Sequence, residues 1–397
     1  MIELEFSIMA HRPDSAEALR PLLDRFERQY RMRVSLTTLP WDTGWGDIVK
    51  MALYGHGPDV SEVGSTWVGS IAAMNALRPY TAAEVQALGG PGAFLASAWR
   101  SGLLADDPRV WAVPWLGDTR VLYYRRDWLE EVGIADAQAA FATPASLEQT
   151  LRRLQDSRFA HSWAAYVVRS PNILHEVASW IWGAGGDFLS ADGRQVLFAE
   201  PAARAGLHAY FDLRRYMAPA AHLQPVTDPS TVFLQGQVAV ALSGPWLAVY
   251  HRGSDPESSA RWGVAPMPGV PFAGGTSLVI WRHAHHVPAA IELVQFLTGQ
   301  PAQVPYSPHA ALLPARLAAL GSLWEEGDPF YRGFIHGLRS GRTLPGTRLW
   351  GVVEYNLTEA LAQVWAELLA DPDADVEESL RRYLDPAARR LSLTLES

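Results

Sequence analysis

Sixteen of the 397 residues are tryptophan, and Trp41, Trp45, Trp67, Trp115, Trp246 and Trp350 stand where strand-like patterns give way to loops. In open α/β sheets such loops line the ligand crevice, so indoles placed there can face a solute. Asp118 and Arg120, one residue apart just after Trp115, point to the same side if the segment is extended. Flat apolar faces beside charged, planar hydrogen-bonding groups suit one kind of chemistry. They can cover the C–H face of a sugar ring and order its belt of hydroxyls without making or breaking a bond. One platform covering about 50 Å² of sugar would contribute roughly 1.3 kcal/mol, and three about 4. Micromolar affinity needs about 8 kcal/mol, so the ionic groups must supply the rest. The competing expectations are that each tryptophan is simply packed and that Asp118 and Arg120 form a surface ion pair.

Other constellations are weaker. His283, His285 and His286 share a polar loop with no second cluster at ligand spacing, so no metal is expected. Gly183, Gly185 and Gly186 lack the strand-to-helix setting of a phosphate loop and are expected to cap the preceding helix, so no nucleotide or other cofactor is expected. Neither a GxSxG elbow nor an HExxH helix occurs. The enzymatic alternative is glycoside hydrolysis, in which Asp118 with Glu62 or Glu354 would act as acid and base about 5 to 9.5 Å apart.

Something must hold these residues in place, and the chain is long enough for two lobes. Hydrophobic residues make up 48% and charged ones 19%, as in a folded globular protein. A net charge of -9 argues against nucleic acid and anionic membrane as partners. Lys50 is the only lysine, and cysteine is absent, which excludes disulfides and thiolate sites. No apolar run approaches the roughly 20 residues that span a bilayer. The opening residues Met1 to Phe6 show neither the basic nor the long apolar region of a signal peptide.

Ile2, Leu4, Phe6 and Ile8 alternate as a strand, after which Asp14 and Glu17 are spaced as a capping box. Leu19, Leu22, Leu23, Phe26 and Tyr30 then share a helix face, and Val34 and Leu36 open a second strand. This β-α-β order predicts a parallel sheet. A helix is expected from Gly46 to Tyr54 and a strand from Val60 to Val63. Trp111 to Pro114 and Val121 to Tyr124 are expected to be extended, Glu176 to Trp182 helical, and Val238 to Leu242 a strand. A strand from Leu278 to Trp281 and a helix from Ala289 to Leu297 follow, with Pro301 to Pro314 as a connector. The tail is helical, with Val353, Leu357, Leu361, Trp365 and Leu368 on one face.

The segment from Pro58 to Trp67 followed by Leu77-Arg78-Pro79 resembles the first signature of the family 1 extracellular solute-binding proteins, whose familiar member is maltose-binding protein. Four further stretches resemble that family in the same order. They are Val113-Pro114-Trp115 with Asp118 to Asp127, Phe233 with Gly236 to Val240, Ser243 to Trp246, and Gly274-Gly275 before Leu278-Val279-Ile280 with Phe296-Leu297-Thr298.

The resemblance implies an α/β, two-lobed periplasmic-binding-protein fold of type II, with a ligand cleft and hinge strands. It divides the chain into an N-terminal lobe of residues 1–118 and 266–318 and a C-terminal lobe of residues 119–265 and 319–397. It also implies a monomer outside the cytoplasmic membrane, periplasmic or anchored at the cell surface, that binds a carbohydrate, delivers it to the permease of an ABC importer and catalyses nothing. A ligand-sensing partner of a membrane receptor is the variant of this reading. By position, Trp67, Asp118, Trp246 and Trp350 fall on sugar contacts, and His175 falls on a helix entry that often holds an aromatic. Trp182 follows His175 on the same face, and Arg12, Trp41, Asp42, Trp115, Arg120, Gly275 and Arg348 complete the expected ligand set.

Overall fold

The computed structural model describes residues 2–157, 161–218, 228–254, 257, 260–324 and 329–395. Its strands are β1 (Glu3–Met9), β2 (Arg33–Leu39), β3 (Val60–Gly64), β4 (Leu77–Arg78), β5 (Val113–Thr119), β6 (Val121–Arg125), β7 (Trp163–Ala164), β8 (Val240–Ser243), β9 (Trp262–Ala265), β10 (Ala273–Trp281) and β11 (Leu313–Pro314). They form a seven-stranded sheet in the order β11-β5-β10-β3-β1-β2, with β4 also paired to β10, and a four-stranded sheet in the order β7-β8-β6-β9.

The chain divides into two compact units. The first holds Met1–Asp118, Ala273–Gly327 and Thr343–Gly351, and the second Thr119–Phe272, Asp328–Arg342 and Val352–Ser397. This differs from the expected division, because residues 266–272 belong to the second unit while residues 319–327 and 343–351 belong to the first.

In the first unit, Leu4, Phe6 and Ile8 are fully buried while Glu3 and Glu5 face solvent, and from Phe6 to Met9 both faces of the strand are covered. β1 pairs in parallel with both β2 and β3, the arrangement that the β-α-β order predicts. The intervening helix Ser15–Tyr30 buries Leu19, Leu22, Leu23 and Phe26. Its start differs from expectation: Asp14 makes no capping hydrogen bond. Ser15 Oγ instead accepts from Arg12 N–H and donates to Arg12 C=O, both at 2.8 Å, tying the helix start to the chain before it, while Asp14 pairs with the Arg12 side chain. The next helix, Gly44–Tyr54, ends on Gly55, whose φ of 61° suits a residue without a Cβ.

The proline-rich connector expected at Pro301 to Pro314 is a helix, Gln300–Ala310, followed by β11. Pro301 stands in the first turn, where its missing N–H costs nothing. Pro305 and Pro308 lie inside, and burial of Ala302, Gln303, Tyr306, Ser307 and Ala310 outweighs the hydrogen bonds they remove.

In the second unit, β6 runs antiparallel to β8 and β9, and β7 runs parallel to β8. The helix Pro171–Gly183 follows β7. Ser170 caps it by accepting from Asn172 N–H, and Pro171 occupies its first turn. The long helix Trp350–Ala370 carries Trp365 into the core against Phe211 and Tyr210.

Candidate functional site

Each unit gathers aromatic and charged side chains at one edge of its sheet. In the first, β2, β1 and β3 are adjacent and parallel, so their carboxyl ends lie together. The residues just past those ends are Trp41, His11 and Trp67. The rings meet edge to face, His11 on Trp41 with centroids 5.7 Å apart and Trp41 on Trp67 at 5.5 Å, and Trp45 extends the wall at 5.3 Å from Trp67. Trp41 is 39% exposed, Trp67 half-buried and Asp42 exposed, so this wall keeps open apolar surface beside a carboxylate. Arg12, half-buried, is tied to Asp14 at 3.2 Å next to it.

His11 is fixed from below. Its Nε2 lies 2.7 Å from Glu62 Oε1, and Glu62 Oε2 accepts from Met9 N–H at 2.8 Å. Glu62 is fully buried, so both its oxygens serve to orient the wall. That leaves it unsuited to the acid or base role weighed for hydrolysis. The other carboxylate weighed for that role, Glu354, is half-buried in the second unit with its Oε1 out of solvent, and loss of solvent pushes its carboxyl up to about 7.

In the second unit the register pairs Val121 of β6 with Ser243 of β8 and Leu122 with Ala265 of β9. Arg120, preceding β6, therefore shares an edge with the chain leaving β8 and β9. Three residues past β8 the ring of Trp246 folds back over Gly244, where a Cβ would meet it at 2.0 Å, so only glycine admits this arrangement. The Arg120 guanidinium, 2% exposed, lies over Trp246 at 4.6 Å and over Phe272 at 5.6 Å. Arg120 Nη2 donates to Asn172 Oδ1 at 2.9 Å and contacts His175 Nδ1 at 2.8 Å. His175 in turn stacks on Phe272 with centroids 4.0 Å apart and planes at 11°. Phe272 is anchored by its carbonyl, which accepts from Thr119 Oγ1 at 2.7 Å.

Beneath this edge lies a buried network. Glu176 Oε2 accepts from Tyr210 O–H at 2.6 Å and from Tyr166 N–H at 3.1 Å, and Tyr166 O–H donates to Asp228 at 3.0 Å. Desolvation raises the Glu176 carboxyl to about 8 against those hydrogen bonds.

Several expected contacts have other places. Trp115, expected as a platform, is buried in the first unit, stacked on Tyr306 at 5.1 Å with its Nε1–H donating to Leu297 C=O at 3.2 Å. Its position inside β5, before the strand ends, explains this. Trp182 is likewise packed: Arg342 covers its face at 4.9 Å, and its Nε1–H donates to Asp187 at 3.0 Å. Arg348 is paired with Asp106 at 3.2 Å and Asp107 at 2.8 Å. Trp350 is 1% exposed at the start of its helix, and Asp118 is half-buried near the end of β5. Gly275 has φ of 132°, and a Cβ there would meet Leu116 C=O at 2.0 Å, so its glycine lets β10 approach β5. His11, Phe272 and Glu176 were absent from the expected set. Only His11 carries a signal in the sequence, its position just past the carboxyl end of the parallel strand β1.

Among the described residues no group of three or more His, Asp or Glu side chains could hold a metal, and no helix is long and apolar enough to cross a membrane.

A family model described as bacterial extracellular solute-binding protein matches residues 12–304. A probable ABC transporter-binding protein of Deinococcus radiodurans is 25% identical over 218 residues, covering 51% of this chain; the chain thus spans about half (52%) of that relative's length. A putative binding protein of Brucella abortus is 21% identical over 71% of this chain and 68% of its own. Among solved structures, the sugar-binding protein MalE of Xanthomonas citri superposes with a TM-score of 0.82 at 23% identity, covering all of both chains. Maltose-bound MalE3 of T. maritima gives 0.82 at 21% over 99% of this chain and 100% of that one. A solute-binding protein of Thermotoga lettingae bound with α-D-tagatose gives 0.80 at 19% over 98% and 99%. These likenesses identify the fold as the two-lobed α/β architecture of the periplasmic binding proteins.

Proposed function

Because this chain belongs to the family of bacterial extracellular solute-binding proteins, we propose that it is the solute-receiving subunit of an ABC importer, that its solute is a carbohydrate, and that it catalyses nothing. It works outside the cytoplasmic membrane as a monomer and hands its solute to the membrane permease. The observation that carries the carbohydrate reading is the wall of His11, Trp41 and Trp67 at the carboxyl ends of three adjacent parallel strands. Open indole surface next to Asp42 suits a ring with one apolar face and a hydroxylated rim. Trp246, Arg120 and His175 offer the same pairing of ring and polar edge on the second unit.

The ligand set proposed is Arg12, Trp41, Asp42, Trp67 and Asp118 from the first unit, and Arg120, His175 and Trp246 from the second. Trp115 and Trp182 are left out because their rings are enclosed. Arg348 and Gly275 are left out because ion pairing and strand packing account for them, and Trp350 because it is almost fully buried. Carbohydrate binding by the maltose and tagatose proteins of like fold supports the choice of solute class.

A thermal-shift screen tests this reading. A ligand at 100 times its dissociation constant adds about 2.7 kcal/mol. At least one sugar among mono-, di- and trisaccharides, polyols and sugar phosphates should therefore raise the melting temperature by a few degrees. A panel of amino acids or peptides that stabilised the protein while every sugar failed would contradict it.

A further inference from the structure

Arg120 approaches the imidazole of His175 with a group that can only donate. Its Nη2 stands 2.8 Å from Nδ1, so Nδ1 must be the acceptor. A neutral imidazole then carries its proton on Nε2, and an imidazolium would lose this contact and face a cation. The arrangement is braced: Nη2 also donates to Asn172 Oδ1, the guanidinium lies over Trp246, and the His175 ring is stacked on Phe272. Nε2 is itself buried and meets no hydrogen-bond partner among the described residues. A buried N–H of this kind persists where something outside the chain supplies the acceptor.

We propose that Arg120 is a positioning residue that holds His175 as a neutral Nε2–H tautomer, and that this N–H donates to an oxygen of the bound solute. The identity of that acceptor as a sugar oxygen rests on the carbohydrate reading; the tautomer does not. The chemical consequence is selectivity. A hydroxyl, ring oxygen or carboxylate is accepted at this point, whereas an ammonium would place donor against donor.

The groups around the imidazole support a single charge state across physiological pH. Arg120 approaches from the start of β6. On the helix of His175 itself, the carboxyl of Glu176 is engaged by Tyr210 and by the backbone of Tyr166, and the Tyr166 hydroxyl is turned to Asp228. Arg342, bridged by its backbone to Phe272, directs its guanidinium to Asp187 and Trp182. Burial and the Arg120 charge together hold the imidazole well below its ordinary range.

Long-range ¹H–¹⁵N spectra of the imidazoles of the full chain, recorded from about pH 5 to 8, test the assignment, with His175 identified by difference from H175F. The expected result is an Nε2–H tautomer that does not titrate in the native protein. In R120M nothing fixes Nδ1 as the acceptor, so the Nε2–H preference should be lost while burial still keeps the ring neutral, and R120K, which keeps a donor, should restore the tautomer. A role for Arg120 in folding alone would lower the melting temperature without moving these signals. A native His175 that protonates near 6.5, or carries its proton on Nδ1, overturns the proposal.

Calorimetry with maltose and D-tagatose as probes tests the donor. H175F, which keeps the stack on Phe272, should weaken binding about tenfold, and H175Q, which keeps an N–H, by less. Native affinity should be flat over the same pH range. Equal affinities in H175F and the native protein overturn the donor role. If neither sugar binds while the tautomer holds, the same titrations are made with the sugar that gives the largest thermal shift, and failure of every sugar counts against the carbohydrate reading and not against the positioning of His175.

Discussion

At the scale of single residues, burial decides which aromatic and charged groups are available to a solute. Trp67 and Trp115 both stand near strand ends in the sequence, yet one contributes to an open wall and the other is sealed against Tyr306. Replacing Trp67 with alanine should weaken sugar binding about tenfold, the loss expected for some 50 Å² of stacked surface. Replacing Trp115 should instead cost stability, about 3 to 5 kcal/mol as for other large core rings. Calorimetry and denaturant melts of the two variants check this contrast.

Glu176 gives a second residue-scale prediction. Its carboxyl ionises near 4.5 when the chain is unfolded and at about 8 in the native protein, so the native state holds a proton that the unfolded state releases. The stability this contributes is complete below about pH 4.5 and is lost as pH rises through 8, at a rate of at most about 1.4 kcal/mol per pH unit. E176Q should flatten that part of the pH profile of unfolding. A variant whose melting follows the native profile from pH 5 to 8 would contradict the assignment. Neither the buried carboxyl nor the His11–Glu62 pair was legible beforehand, because polar residues in an apolar pattern look alike whether they face solvent or a buried partner.

At the scale of elements, periodicity located the first β-α-β unit and the tail helix, where one face is plainly apolar. It failed at Gln300–Ala310, since Pro305 and Pro308 argue for a connector and only tertiary burial of Tyr306 and its neighbours overrides them. It also assigned Asp14 a cap that the helix start does not have, because the Asp14 carboxylate is drawn to the Arg12 side chain instead. Gly275 shows a glycine assigned to the ligand whose work is in the sheet. G275A places a Cβ 2.0 Å from Leu116 C=O at a φ of 132°. It should cost about 2 kcal/mol or more in a denaturant melt. The affinity of the remaining folded fraction should change little.

At the scale of the whole molecule, the five motifs shared with a family in order carried the fold and the family further than any single residue could. The exact ligand set was less legible, because sequence position gives the strand end but not whether the ring there is covered. Arg342 over Trp182 and Tyr306 over Trp115 come from distant parts of the chain. The central claim is that aromatic edges on both units contribute to holding a carbohydrate. Its most direct test is calorimetric titration of the sugar that gives the largest thermal shift into the native protein, W67A and W246A. Saturable binding to the native protein, weakened about tenfold or more in each folded variant, is the predicted result. Undiminished affinity in either variant would contradict it.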